Sequence, residues 1–326
     1  DLYHPWALTV EDAIATARRC EQAAFDASPL VSNSEGASIS TQQAQFVAAN
    51  SLGFAGGYPT SRHYISCSVI AGGNDGMQRD DWYTTHRDAA QLDDPLRVGR
   101  IAAERAVARL GGRKVRTGDF PVLFEATLAG GLLGSLVHAA SGGALYRKSS
   151  FLLDHLGKRV MPEFVNIGER PHIKCGLGSA SFDSDGVATR DREVVSGGIL
   201  QGYFLSAYTA RKLGMQTTGN AGGSHNLIIE PGDLDLDGLL RKMDRGLLVT
   251  ELLGQGINYV TGDYSRGAAG YWVENGSIAY PVEEITIAGN LKAMLAGIVA
   301  VGTDVLVRGS KQTGSILVDR MTVAGE

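Results

Sequence analysis

Glycine constrains this chain more than any other residue type. There are 43 glycines in 326 positions, roughly double the average frequency of about 7%. No three-residue period accompanies them, which excludes a collagen-like helix. They fall instead between runs of apolar or alternating residues, where glycine marks tight turns and close backbone approaches. The strongest such signal is Asn275-Gly276, set between strand-like residues 271–274 and 277–280. Both residues tolerate positive φ, so the pair predicts a two-residue hairpin turn. Ser196-Gly-Gly198, between residues 192–195 and 199–206, predicts a second hairpin. A chain punctuated in this way builds antiparallel sheet.

Helices are fewer. Residues 9–27 open with Thr9 as N-cap and place Val10, Ala13, Ile14, Ala17, Ala24 and Phe25 on one face. Asp94-Pro95 opens a second helix with Val98, Ile101, Ala102, Val107 and Leu110 on its apolar stripe. Between them, strands are expected near residues 44–49, 63–71 and 81–87, with Gly-rich turns at residues 53–57 and 72–76. The polar, Gly-rich joint at residues 111–119 suggests a boundary. We expect residues 1–112 to form a helix–meander–helix domain and residues 113–326 a β-rich domain. A helix near residues 290–300 and strands near 304–307 and 315–318 close the second part. Helices and strands do not alternate regularly, so the expected class is α+β, with mostly antiparallel sheets and flanking helices in two domains.

Charge and composition remove several functions. With 30 basic and 35 acidic side chains and a net charge of −5, the chain lacks the basic surface a nucleic-acid partner requires. Its apolar runs near residues 126–137 and 293–302 are too short to span a bilayer. Cys20, Cys67 and Cys175 show no C-x-x-C spacing, which fits a reducing, cytoplasmic setting. The start at Asp1 without an initiator Met reads as a fragment.

Motifs for familiar chemistry are mostly missing. The glycines at 176–178 and 130–134 match neither a dinucleotide nor a P-loop pattern. Ser179, Ser224 and Ser265 lie near glycines without a G-x-S-x-G or S-x-x-K frame. Among seven histidines, His172 and Cys175 could pair, with His225 or His138 joining, but a structural zinc wants four tightly spaced ligands. His138, in a helix-compatible apolar run ending at Gly142-Gly143, reads on its own as a core or interface histidine.

Several longer blocks carry more information. YRKSSFLLDHLG at 146–157, FDSDG at 182–186, TGNAGG at 218–223, VTELLGQG at 249–256, TGDYSRGAAG at 261–270 and EITIAGN at 284–290 together resemble the PmbA/TldE branch of the TldD/PmbA proteins, historically called modulators of DNA gyrase. Complete members have a further N-terminal domain. The resemblance implies a cytosolic zinc metalloprotease built from two kinds of subunit. The TldD-type subunit carries H-E-x-x-x-H, two zinc ligands and a general base, with a distant cysteine as third ligand. Zinc would activate water and polarise the peptide carbonyl while the Glu moves protons.

Laid on that motif, this chain keeps His138, but Ala139 stands for the Glu, Gly143 for the second His, and Asp304 falls in the cysteine-bearing stretch. Residues five apart on a helix differ by roughly 140°, so the motif itself needs an irregular turn, which Gly142-Gly143 would preserve. The expectation is therefore a non-catalytic subunit with no metal or other cofactor of its own, zinc residing in a TldD-like partner. Arg147, Tyr264, Arg266, Trp272 and His225 are expected at a substrate cavity or subunit interface, the Gly262–Gly267 stretch forming a Gly-rich loop. An extended peptide is the expected substrate, with no direct nucleic-acid or membrane partner. Two alternatives stand beside this: a stand-alone metallopeptidase using His138, His172, Cys175 or His225, and a regulatory binding protein acting on gyrase.

Overall fold

The structure is a computed structural model that describes every residue except Asn74 and Asp75. The turn expected at residues 72–76 therefore lies partly outside the described residues. Two compact units are present. One holds Asp1–Ala49, Ala55–Gly112 and Lys174–Leu177; the other holds Asn50–Phe54, Arg113–Ile173 and Gly178–Glu326.

The first unit runs α1 (Val10–Ala27), β1 (Val31–Ala49), β2 (Ala55–Gly73), β3 (Gly76–His86) and α2 (Pro95–Ala108). The strands form an antiparallel meander in the order β1-β2-β3, considerably longer than the glycine turns alone indicate. The caps read from the sequence are present: Thr9 accepts from the Asp12 amide and Asp94 from the Leu96 amide. β2 shows strict period-2 burial, with Ser61, His63, Ile65, Cys67, Val69 and Ala71 on the covered face. Cys20 and Ala24 of α1 and Val98, Ala102, Ala103 and Ala106 of α2 pack against it. The α1 stripe is shorter than its periodicity predicts, since Val10 and Ile14 are 70% and 48% exposed. An apolar face becomes core only where another element lies opposite.

The second unit contains β4 (Gly118–Phe124), α3 (Ala126–Ala139), α4 (Gly142–Tyr146), β5 (Ile167–Glu169), β6 (Arg192–Ser196), β7 (Ile199–Leu200), α5 (Ala207–Leu213), β8 (Leu227–Ile229), α6 (Leu236–Met243), β9 (Gly246–Leu253), β10 (Asp263–Glu274), β11 (Ser277–Asn290), α7 (Leu291–Ala296), β12 (Ile298–Val301), β13 (Lys311–Gln312) and β14 (Ile316–Ala324). The main sheet runs β11-β10-β9-β4-β14-β12, and β14 also pairs with β11, closing five strands into a ring. Its neighbours are antiparallel except β4 and β9. β4 is buried on alternate faces: Val122 and Phe124 join the large cluster containing α3 and α7, and Leu123 joins a second beneath α6. A smaller sheet has the order β13-β8-β5-β6-β7.

Both expected hairpins form. Asn275 and Gly276 have φ of 53° and 70°, Gly197 and Gly198 of 55° and 74°, the signs a tight hairpin turn demands. Residues 304–307 are not a strand, while residues 298–301 are. The architecture is α+β, with mostly antiparallel sheets and flanking helices. Among the described residues, no helix is long and apolar enough to cross a membrane.

Candidate functional site at a broken helix

α3 is almost wholly apolar, and Ala129, Leu132, Leu133, Leu136 and Ala139 are buried along it. Its N-cap, Glu125, makes no side-chain cap; Ser315 Oγ accepts from the Ala126 amide at 2.9 Å instead. At its other end the helix breaks. Ala140 (φ −87°, ψ 5°) ends α3, and Ser141 (φ −73°, ψ 139°) is extended and caps α4. The chain around residue 204 satisfies the interrupted backbone: Gly142 N donates to Phe204 O at 2.9 Å and Phe204 N to Ala140 O at 3.0 Å. Ser150 Oγ donates to Ala139 O at 2.5 Å. Gly142 is required here for space, because a Cβ would collide with Thr209 and Leu205.

The irregular turn expected of the motif is thus present, with side chains unsuited to its chemistry. His138 is exposed, and its ring stacks on Tyr259 at 3.9 Å between centroids and 26° between planes. Ala139 is 0% exposed, within the main core. The Arg147 guanidinium occupies the space over Gly143: a Cβ there would lie 3.3 Å from one of its nitrogens.

Asp304 does not complete the set. Its carboxylate accepts from Ser315 N at 2.9 Å and from Ser315 Oγ at 2.6 Å. That serine also binds the first amide of α3, so Asp304 sits at the opposite end of the helix from His138, roughly 18 Å away at about 1.5 Å per residue. The residues at the motif therefore do not fit a catalytic zinc, which needs three converging protein donors.

The alternative ligand set is dispersed as well. His172 Nε2 pairs with Thr189 Oγ1 at 3.0 Å and His225 Nε2 with Gly219 O at 3.0 Å. The His225 amide donates to Glu169 Oε1 at 2.7 Å. That carboxylate, 1% exposed, also binds Arg192 Nε at 2.6 Å and Asn220 Nδ2 at 2.9 Å. His225 thus belongs to a structural network. Cys175 lies instead with His4 and Asp1.

Residues 263–267 belong to a strand rather than a loop. Tyr264 and Arg266 share a face of β10, whereas Trp272 lies about 20 Å further along at about 3.4 Å per residue. Trp272 packs edge-on against Phe120, with ring centroids 4.9 Å apart, and lines a cleft of about 350 Å³ with Arg116, Arg245 and Tyr280. Burial pushes the Tyr264 phenol up, and the adjacent Arg266 guanidinium partly offsets this. Arg266 donates to Leu252 O at 3.4 Å, while its buried Nε has no hydrogen-bond partner among the described residues.

Tyr259 links this pair to His138. It stacks on the imidazole, gives its carbonyl to the Phe151 amide at 2.9 Å, and lies near enough to Tyr264 to affect its ionisation. Asp263 holds the Tyr259 loop: it accepts from Thr261 Oγ1 at 2.6 Å and Asn290 Nδ2 at 3.2 Å, which keep its carboxyl below the usual range. Sequence reasoning missed Tyr259, which no motif spacing marks.

This two-unit α+β architecture, with its broken helix beside a closed strand ring, is shared with proteins of known structure. A Thermotoga maritima protein, described as a modulator of a DNA gyrase, superposes with a TM-score of 0.92 at 32% identity, covering 99% of this chain and 77% of that one. TldE from Thermococcus kodakarensis has the same fold (TM-score 0.86, 20% identity, 100% and 79% coverage). Residues 3–110 match the PmbA/TldA metallopeptidase central domain, and residues 117–325 the C-terminal domain. The chain is 49% identical to a Haemophilus influenzae protein named Metalloprotease PmbA homolog, over 100% of its own length and 72% of that protein's. It belongs to the PmbA/TldD metallopeptidase family.

Proposed function

We propose that this chain is the non-catalytic member of a two-chain, cytosolic metalloprotease, pairing with a TldD-like subunit that supplies the zinc. The observation that carries the reading is the broken helix: the turn that would bring two motif ligands together is retained, while Ala139 and Gly143 offer no donor and His138 lies against Tyr259. Its role is to help hold an extended peptide. A peptide adding along a free strand edge is recognised chiefly through its backbone, and the half-buried Arg266 guanidinium, on a different, interior strand, is a donor for a peptide carbonyl or carboxylate. Burial strengthens such a charge-assisted bond relative to water.

The test is reconstitution. The chain should co-purify with a TldD-like subunit, and peptidase activity should require both proteins. Arg266→Gln should raise KM while the two-chain complex still forms. Full activity from this chain alone, abolished by His138→Ala, would overturn the reading.

A further inference from the structure

The first unit contains a donor set that no family motif describes. Among the described residues, the His, Cys, Asp and Glu donors that converge on one point are those of Asp1, His4 and Cys175. His4 Nε2 lies 2.9 Å from Asp1 Oδ1 and 3.4 Å from Cys175 Sγ, and Sγ lies 3.5 Å from Asp1 Oδ2. Tetrahedral zinc, with bonds of about 2.3 Å to sulfur and about 2.0–2.2 Å to nitrogen and oxygen, places its donors about 3.3–3.6 Å apart. The Nε2–Sγ separation falls in that range, and the Asp1 carboxylate lies beside both atoms, Oδ1 near the nitrogen and Oδ2 near the sulfur, so that all three donors lie within 4.8 Å of one another.

Two ordinary explanations fit less well. A Cys-His-Asp relay needs the two ring nitrogens to face different partners, one the nucleophile and one the carboxylate. Here a single nitrogen, Nε2, faces both, as metal coordination requires. A simple His–Asp ion pair leaves the sulfur unexplained, and the loop carrying it is held firmly. Cys175 adopts φ +55°, and its amide donates to Asp1 O at 2.9 Å.

The surrounding backbone is fixed from below. Arg87, itself 7% exposed, donates to the carbonyls of Gly176 at 2.9 Å and Leu177 at 3.1 Å. Its donors are directed at carbonyls, so it does not compete for the Asp1 carboxylate. Ser61 Oγ accepts from the His4 amide at 2.8 Å and donates to Arg87 O at 2.8 Å, while His63 Nε2 meets His4 O at 2.7 Å. The 1–4 segment is thus tied to β2 and the 174–177 loop to Arg87, which follows β3 and itself donates to Ser61 O.

We infer that Asp1, His4 and Cys175 form a zinc site, separate from the degenerate motif, with a fourth position open to solvent. A thiolate, an imidazole and a carboxylate together suit zinc and exclude the hard cations calcium and magnesium. The side chains of Asp1 and His4 are 47% and 29% exposed, which leaves room for water as fourth ligand. Bound zinc joins the segment at residues 1–4 to the loop at 174–177 and stabilises this unit by mass action.

The test is a zinc titration of the full, chelator-stripped chain against a chromophoric competitor. One zinc per chain is expected, with apparent affinity falling about 100-fold or more in Cys175→Ser and His4→Ala, given that even outer-shell changes cost about 10–100-fold. His138→Ala should bind as the parent does. Cobalt in place of zinc should give a thiolate-to-metal charge-transfer band that Cys175→Ser lacks. Circular dichroism of the metal-free variants controls for misfolding, and the parent's cobalt band tests the site without any variant. Absence of stoichiometric zinc and of that band, or zinc retained in Cys175→Ser but lost in His138→Ala, would refute the assignment.

Discussion

Two places in this molecule bear on metal chemistry, and they are opposites. At the end of α3 the helix breaks at Ala140–Ser141 and a short second helix follows. Of the three positions there only His138 carries a donor, stacked on tyrosine, beside a buried methyl at Ala139 and a glycine at 143. Around Cys175 no motif exists, since the donors lie at positions 1, 4 and 175, yet three of them converge. Backbone shape and ligand convergence are separate properties. Neither an irregular helix turn nor the lack of a sequence motif decides by itself whether a chain binds metal.

The largest effect expected from testing this contrast comes from restoring the motif. Ala139→Glu places a carboxylate at a fully buried position within the core, and an uncompensated buried charge costs about 3–5 kcal/mol. Denaturant unfolding of the second unit should shift accordingly. A Cβ at Gly143 meets first the flexible end of the Arg147 side chain, and Gly143→His should change stability by less than about 1 kcal/mol. A double variant as stable as the parent, binding zinc, would show that the site had lost only its ligands.

Next in size is Ser315→Ala, which removes the acceptor for the first amide of α3 and a donor to Asp304. Leaving those groups unsatisfied should cost about 1–3 kcal/mol with metal content unchanged, marking Asp304 as structural. Tyr259→Ala should cost about 0.5–1.5 kcal/mol for the lost ring contact and shift the His138 ring resonances. Unmoved resonances would break the claim that this imidazole stacks on Tyr259.

The smallest effect is a pH dependence. Asp263 has its carboxyl lowered by Thr261 and Asn290, so its contribution is complete above the unfolded value of about 3.9. It is lost as pH falls through the lower folded value. Amide protection in the Tyr259 loop should therefore weaken only on the acid side of about pH 4, and Asp263→Asn should abolish that dependence.

What could be read in advance depended on distance along the chain. The caps at Thr9 and Asp94, the Asn275-Gly276 turn and the interruption near Gly142 are local, each set by the φ/ψ preferences or hydrogen bonds of a few neighbours. β10 and β11 run longer than the strands expected at residues 271–274 and 277–280, because residues 263–270, rich in glycine and small residues, carry little strand propensity and are held by pairing with β9 and β11. Grouping Tyr264 with Trp272 was misleading, because nearness in sequence becomes separation along an extended strand. Tyr259 beside His138, and Asp1 beside Cys175, are brought together by tertiary folding alone, which no spacing rule encodes.

The closed ring of the second unit also sets an order of events during synthesis. β4 must pair with β14, and the Asp119–Arg320 contact spans 201 positions. Such high contact order delays the reward for loop closure until both partners exist. As the polypeptide leaves the ribosome, the meander of the first unit can form from residues made in one continuous stretch. The ring must wait until β14 emerges, with β4 carrying an unpaired edge in the interval. An unpaired strand edge is prone to pair with other chains, so chaperone demand should fall there rather than at the earlier meander.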